Sequence, residues 1–158
     1  MKVSVVVCTY SMERYGPFSE CVESVLSQEY DPLEVVLVVD GNEEVYERVQ
    51  ADFGRESDVI VHNNDENRGI SFSRTKGAEL ASGEVVAFID DDATAEPDWV
   101  QQLVDVYEET DAIAVGGDVQ PDWQTAKPDF FPEEFYWLVG CVEPGFAEDG
   151  EEVRNTYG

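Results

Sequence analysis

Val85-Val86-Ala87-Phe88-Ile89-Asp90-Asp91-Asp92 is an apolar run that stops abruptly in three carboxylates. Five consecutive apolar residues with β-branched members read as a strand covered on both faces, as in a parallel sheet. Three adjacent carboxylates at the mouth of such a strand repel one another, and a cation relieves that repulsion. Hard oxygen donors with coordination positions left open suit Mg²⁺ or Mn²⁺ shared with substrate phosphates. A solvated acidic turn is the plainer alternative, and the surrounding sequence has to decide between the two.

Working back toward the N-terminus, the same kind of apolar run recurs at Val3–Cys8, at Glu34–Val39 and, shorter, at Val59–Val61. Between them lie segments of helical spacing. Phe18, Cys21, Val22, Val25 and Leu26 follow Gly16-Pro17, and Val45, Val49 and Phe53 follow Asp40-Gly41-Asn42. The polar run Asn63–Arg68 leads through Gly69 into a helix from about Ser71 to Ala81, with Gly83 at the position of a helix cap. Beyond the aspartates, Pro97 and Asp98 open a helix bearing Trp99, Leu103, Val104 and Tyr107. Ala112–Val119 is expected as a fifth strand, and Glu133–Val139 as a short helix. Strand-helix alternation predicts an α/β fold with a mostly parallel sheet flanked by helices, whose ligands bind beyond the carboxyl ends of the strands. Thr9, Tyr10, Asp40 and Asp90–Asp92 all fall there.

Composition sets the limits. Thirty-six acidic residues against nine basic give a formal charge of −27 over 158 residues, yet 42% of the chain is hydrophobic, enough to bury one core. The acids are spread along the chain rather than gathered in a block, which favours adaptation to a saline cytosol over a localised cationic ligand. Nucleic acid is excluded as a partner for want of a basic surface. Cys8, Cys21 and Cys141 have no paired spacing and suggest neither disulfides nor zinc, and His62 stands alone. No apolar run approaches the roughly 20 residues of a membrane-spanning helix.

In order along the chain, Val3-Ser4-Val5-Val6-Val7-Cys8-Thr9-Tyr10, Val35–Val39 with Asp40-Gly41, Asn67-Arg68-Gly69-Ile70 with Ser73-Arg74, and Ala81-Ser82-Gly83-Glu84 leading to Phe88-Ile89-Asp90-Asp91-Asp92 and Pro97-Asp98 resemble family 2 glycosyltransferases of the GT-A fold, through about Gln120. The resemblance implies a nucleotide-sugar-binding GT-A core over 1–120 and the incomplete start of an acceptor-side region over 121–158.

It further implies a UDP-sugar donor and inverting transfer to an acceptor hydroxyl or lipid phosphate. Thr9 and Asp40 match positions that contact uridine, with Tyr10 beside them, and a carboxylate can accept the uracil imide proton that cytosine lacks. Asp91 matches a position near the ribose. Asp92, with Asp90 as first member of the Asp-x-Asp pattern, matches the ligand of Mn²⁺ or Mg²⁺. Arg68 matches a position near the nucleotide, with a surface ion pair as its alternative, and Arg74 is expected either to pair with the aspartate loop or to touch substrate.

The family's catalytic base is a Glu-Asp pair well downstream. Glu148-Asp149 comes too soon after Asp92 to be that pair, so the base is expected beyond Gly158. Trp123 is the candidate for an acceptor-side aromatic. A lipid-linked acceptor at the cytoplasmic membrane face, in protein or surface-layer glycosylation of a halophilic archaeon, completes the expectation. A non-catalytic sugar-nucleotide-binding module, a nucleotidyltransferase and a phospho-receiver domain are the competing readings. The loop Thr9-Tyr10-Ser11-Met12-Glu13-Arg14 lacks the glycines of the second of these and the acidic pair of the third.

Overall fold

A computed structural model describes residues 1–123, 125–128, 130–142 and 151. Four strands, β1 (Val3–Thr9), β2 (Leu33–Val39), β3 (Val59–Asn63) and β4 (Val85–Ile89), form one sheet in the order β3-β2-β1-β4. All three pairings are parallel, with Val5 opposite both Val35 and Ala87. The helices are α1 (Tyr15–Leu26), α2 (Glu43–Phe53), α3 (Ile70–Leu80) and α4 (Trp99–Glu109), and a 3₁₀ turn, Met12–Arg14, precedes α1.

Alternate side chains of a strand point to opposite faces. Val6, Cys8, Val36 and Val38 form a cluster on one face with Leu80 of α3 against it. The approach is close, since a Cβ on Gly77 of α3 would meet the Val6 side chain at 2.3 Å. Val5, Val7, Val35, Leu37 and Val39 fill the other face and are completely or almost completely buried. Phe18 of α1 meets Phe53 of α2 edge-on at 6.3 Å, so these two helices share a layer. Burial of β1 and β2 on both sides explains their unbroken β-branched runs.

Chain order along the sheet runs outward from β1 to β3 and then returns to the other side of β1 to place β4. The reversal leaves a crevice at the carboxyl ends of β1 and β4, where ligands of open α/β sheets bind.

Two expectations are corrected. Ala112–Val119 is not a strand: Ile113 is 99% exposed, Gly116 and Gly117 interrupt the run, and a strand exists only by pairing with a neighbour. Gly83 is not the cap of α3, which ends at Leu80 with Ala81 as its C-cap. It lies instead where a Cβ would stand 2.6 Å from the Ser4 hydroxyl and 2.9 Å from the Lys2 carbonyl, and its N–H donates to Ser4 Oγ at 2.8 Å. Two compact units are present, Met1–Val100 and Gln101–Gly158.

Within the second unit, Glu133–Val139 is a 3₁₀ helix, and Trp123 packs on Phe131 at 5.9 Å and on Tyr136 at 6.3 Å. Glu148-Asp149 lies outside the described residues. Among those described, no helix is long and apolar enough to cross a membrane.

Candidate functional site

The first unit contains a cavity of about 450 Å³ at the switch point, lined by Thr9, Tyr10, Arg14, Asp40, the Asp90–Asp92 turn and, among others, Asn67 and Gly69. Of the residues singled out from sequence, Thr9, Tyr10, Asp40, Asp90, Asp91 and Asp92 are therefore brought together. Arg68 is not among its lining residues. Its guanidinium lies 4.0 Å over the ring of Phe72, and the residue is exposed.

Thr9 closes β1. Its residue is 2% exposed, and its Oγ1 is fully buried without a hydrogen-bond partner. A buried polar atom left unpaired costs about 1–3 kcal/mol, so an orphan at a cavity wall marks a place where a ligand donor or acceptor belongs. Tyr10 follows on the surface, 52% exposed, its carbonyl fixed by a 3.0 Å hydrogen bond from Asn42 Nδ2.

Asp40 directly follows β2 and is 5% exposed. Its Oδ1 accepts from Asn64 Nδ2 at 2.8 Å and from the Arg68 N–H at 3.0 Å, while Oδ2 accepts from the Gly69 N–H at 2.7 Å. Burial alone would raise its pKa. The backbone hydrogen bond from Arg68, the side chain of Asn64, the Gly69 N–H and Ser73 outweigh burial and hold the carboxyl below its ordinary value. Asp40 is thus the anchor of the 64–69 loop. The turn behind it needs glycine, since Gly41 has φ +69° and a Cβ there would sit 2.2 Å from the backbone of Glu66 and Asn67. Gly69, at φ +87°, opens α3.

The aspartate turn is held by two arginines. Arg14 Nε donates to both Asp91 oxygens at 3.1 and 3.3 Å. Its Nη2 reaches Asp91 Oδ1 at 2.5 Å and Asp92 Oδ2 at 2.9 Å. Arg74 of α3 pairs with Asp90 at 2.5 Å, the first of the two options its position allowed. The Asp91 side chain is 9% exposed and that of Asp92 is 60% exposed. Cys8 and Cys21, next to these acids, are neutral thiols: burial, reinforced for Cys21 by Asp91, pushes each pKa up to about 12.

Arg14 is the site residue that sequence reasoning passed over. The signal is present, since it is the single cation in the loop after β1 of a chain with nine.

Four carboxylates (Asp40, Asp90, Asp91 and Asp92) against two guanidiniums leave the site with a net charge of −2. That suits a divalent cation and opposes a bare diphosphate. Among the described residues, no three His, Cys, Asp or Glu side chains converge closely enough to hold a metal. The donors still fit a cation completed by the ligand, because Mg²⁺ commonly takes one or two carboxylates and fills its remaining positions with phosphate oxygens and water. Asp92 and Asp90 are the exposed carboxylates at the cavity, 60% and 53% exposed, two residues apart on the same turn.

A family model described as glycosyl transferase family 2 matches residues 4–140. The chain is similar to a glucosyl-dolichyl phosphate glucuronosyltransferase of Haloferax volcanii, 74% identical over 159 residues that cover 100% of this chain and 51% of that protein. It is also similar to the glycosyltransferase GlyA of Streptococcus pneumoniae, 34% identical over 116 residues, covering 73% of this chain and 16% of GlyA. The chain therefore spans about half the length of the first relative and less of the second.

Among solved structures, Staphylococcus aureus TarS in complex with UDP-GlcNAc aligns at a TM-score of 0.60 and 24% identity over 69% of this chain and 32% of TarS. That likeness gives the fold, GT-A. With a family match over residues 4–140 and the expected aspartate turn gathered at the switch point, the chain belongs to glycosyl transferase family 2.

Proposed function

We propose that this chain forms the sugar-nucleotide site of an enzyme that transfers a sugar, with inversion, from a UDP-sugar to a lipid-linked phosphate sugar. The observation that carries the proposal is a cavity at the ends of β1, β2 and β4. Thr9, whose buried hydroxyl has no hydrogen-bond partner, the loop anchored by Asp40 and the aspartate turn all line it.

In this reading the Thr9 hydroxyl supplies a polar contact to the uridine, and the exposed ring of Tyr10 offers a flat apolar face to the base. Asp40 acts chiefly by fixing the loop that carries Asn67 and Gly69, and its carboxylate edge, which also lines the cavity, is where a uracil imide N–H would donate. Asp91, immobilised by Arg14, faces the ribose. Arg68 contributes its backbone N–H to Asp40, and its guanidinium must leave the Phe72 ring to reach a phosphate.

Asp92, with Asp90 beside it, would hold Mn²⁺ or Mg²⁺, which when bound offsets the negative charge that builds on the departing diphosphate. The base that deprotonates the acceptor is assigned to none of the described residues. The name of the 74% identical Haloferax protein, a glucosyl-dolichyl phosphate glucuronosyltransferase, supports a glucuronosyl donor and a dolichyl phosphate-linked glucose as acceptor. Such an acceptor calls for peripheral contact with the cytoplasmic membrane face.

The test is incubation of the protein with UDP-glucuronic acid and glucosyl-dolichyl phosphate in high KCl with Mn²⁺, with mass spectrometry of the lipid product. A product heavier by one glucuronosyl residue supports the proposal. Preference for a nucleoside triphosphate, with pyrophosphate release, would replace it with nucleotidyl transfer.

A further inference from the structure

We infer that Arg14 is the resident counter-cation of the aspartate turn, keeping Asp91 permanently and surrendering Asp92 to the divalent cation that arrives with the sugar nucleotide. The inference rests on the proposed sugar-nucleotide reading and deepens it by naming the group that the cation displaces.

The two arms of the Arg14 contact are unequal. Toward Asp91, three donor-acceptor contacts of 2.5 to 3.3 Å form a forked pair on a side chain that is 9% exposed. Breaking such a pair strands a nearly buried charge. Toward Asp92, a single 2.9 Å contact reaches a carboxylate that is 60% exposed, and exposed ion pairs contribute little. Asp92 can therefore be released at little cost while Asp91 cannot.

The loop gives Arg14 a fixed origin. Ser11 Oγ accepts the Glu13 N–H at 3.1 Å, and the Arg14 N–H donates to the Ser11 carbonyl at 3.2 Å. The Thr9 hydroxyl, buried in the wall of the same cavity and unpaired, is an independent sign that a ligand completes this site.

A consequence is coupling between metal and nucleotide. Metal alone must compete with a guanidinium for Asp92 and binds weakly. Metal together with a diphosphate gains phosphate oxygens, and the freed arm of Arg14 faces a diphosphate instead of a carboxylate. A bare aspartate cluster would hold the cation between turnovers.

The experiment is to titrate Mn²⁺ into the protein in high KCl, with and without saturating UDP, and to follow free Mn²⁺ by electron paramagnetic resonance. Wild type is compared with Arg14→Gln, Arg14→Lys and Arg74→Gln. Circular dichroism melts confirm that each variant is folded.

Arg14→Gln is expected to bind Mn²⁺ alone on the order of tenfold more tightly than wild type and to lose most of the enhancement given by UDP. Arg14→Lys, which keeps the charge without the fork, stays within about threefold of wild type. Arg74→Gln changes Mn²⁺ affinity by less than Arg14→Gln does, because Arg74 pairs with Asp90 whereas Arg14 pairs with Asp92.

If Mn²⁺ affinity is unchanged or falls in Arg14→Gln while wild type still binds UDP with Mn²⁺, Arg14 is only a structural tie and the inference fails alone. An equal rise in Arg74→Gln would make the effect one of net charge and overturn it as well. If wild type binds no UDP at any Mn²⁺ concentration, the sugar-nucleotide reading fails first.

Discussion

Replacing Asp40 with asparagine tests whether this carboxylate is the anchor of the 64–69 loop. The new amide must place its NH₂ where one carboxylate oxygen was. At the Oδ2 position it faces the Gly69 N–H, donor against donor, and one buried backbone N–H loses its acceptor. At Oδ1 it faces two donors, Asn64 Nδ2 and the Arg68 N–H. The first arrangement is cheaper. It leaves one unsatisfied N–H at about 1–3 kcal/mol and weakens the surviving bonds from charge-assisted to neutral, for a total on the order of 3 kcal/mol.

Urea unfolding of wild type and Asp40→Asn in the same concentrated KCl measures this directly. The loosened loop should also lower UDP affinity by about tenfold, read by calorimetry. A stability loss below about 0.5 kcal/mol would refute the anchor role, since substitutions outside such networks usually fall within that margin.

Other expectations are independent of Asp40. Thr9→Val keeps the β-branched shape in β1 and removes an unpaired hydroxyl, so melting temperature should hold or rise while UDP affinity falls about tenfold. A drop in both would mean that Thr9 is structural. Glu34 gives a pH signature. Burial acts to raise its pKa, but hydrogen bonds from the Ser82 N–H and hydroxyl, Lys2 and Ser4 pull it down to about 2 from an ordinary 4.5.

A carboxyl depressed in the folded state stabilises fully above the unfolded pKa and loses that contribution as pH falls toward the folded value. Unfolding free energy should therefore drop between about pH 4.5 and 2 by on the order of 3 kcal/mol on account of Glu34, and the drop should flatten in Glu34→Gln. Identical pH profiles would remove Glu34 from the cause. Gly41→Ala should cost several kcal/mol in the same unfolding assay, about 3 or more, because it combines a positive φ with a clash against the Glu66–Asn67 backbone. A variant as stable as wild type would show that the loop yields.

Most of the sheet was legible because burial on both faces leaves an unbroken signature. Val3–Thr9 and Leu33–Val39 could hardly be anything but central strands. Apolar content misled at Ala112–Val119, since local composition does not say whether a neighbouring strand is there to pair with. The positions of Thr9, Asp40 and the aspartate turn followed from the rule that strand ends share one edge.

Their partners did not follow. Asp40 and Gly69 are 29 residues apart, and Arg14 and Asp91 are 77 apart, so both contacts exist only once the sheet has formed. In a chain with 36 acids, sequence cannot say which carboxylate a given arginine will choose. The acidity itself was read as adaptation to salt, and it accords with the 74% identity to a Haloferax protein.

The turn after β4 is proposed to share a divalent ion with a sugar nucleotide. Calorimetric titration of UDP into wild type and Asp92→Ala, each with Mn²⁺ and with EDTA, tests it most directly. Wild type should bind UDP at least about tenfold more tightly with Mn²⁺ than with EDTA, and Asp92→Ala should bind equally weakly in both. UDP binding that ignores Mn²⁺ in wild type, or that keeps its metal dependence in Asp92→Ala, would contradict the assignment.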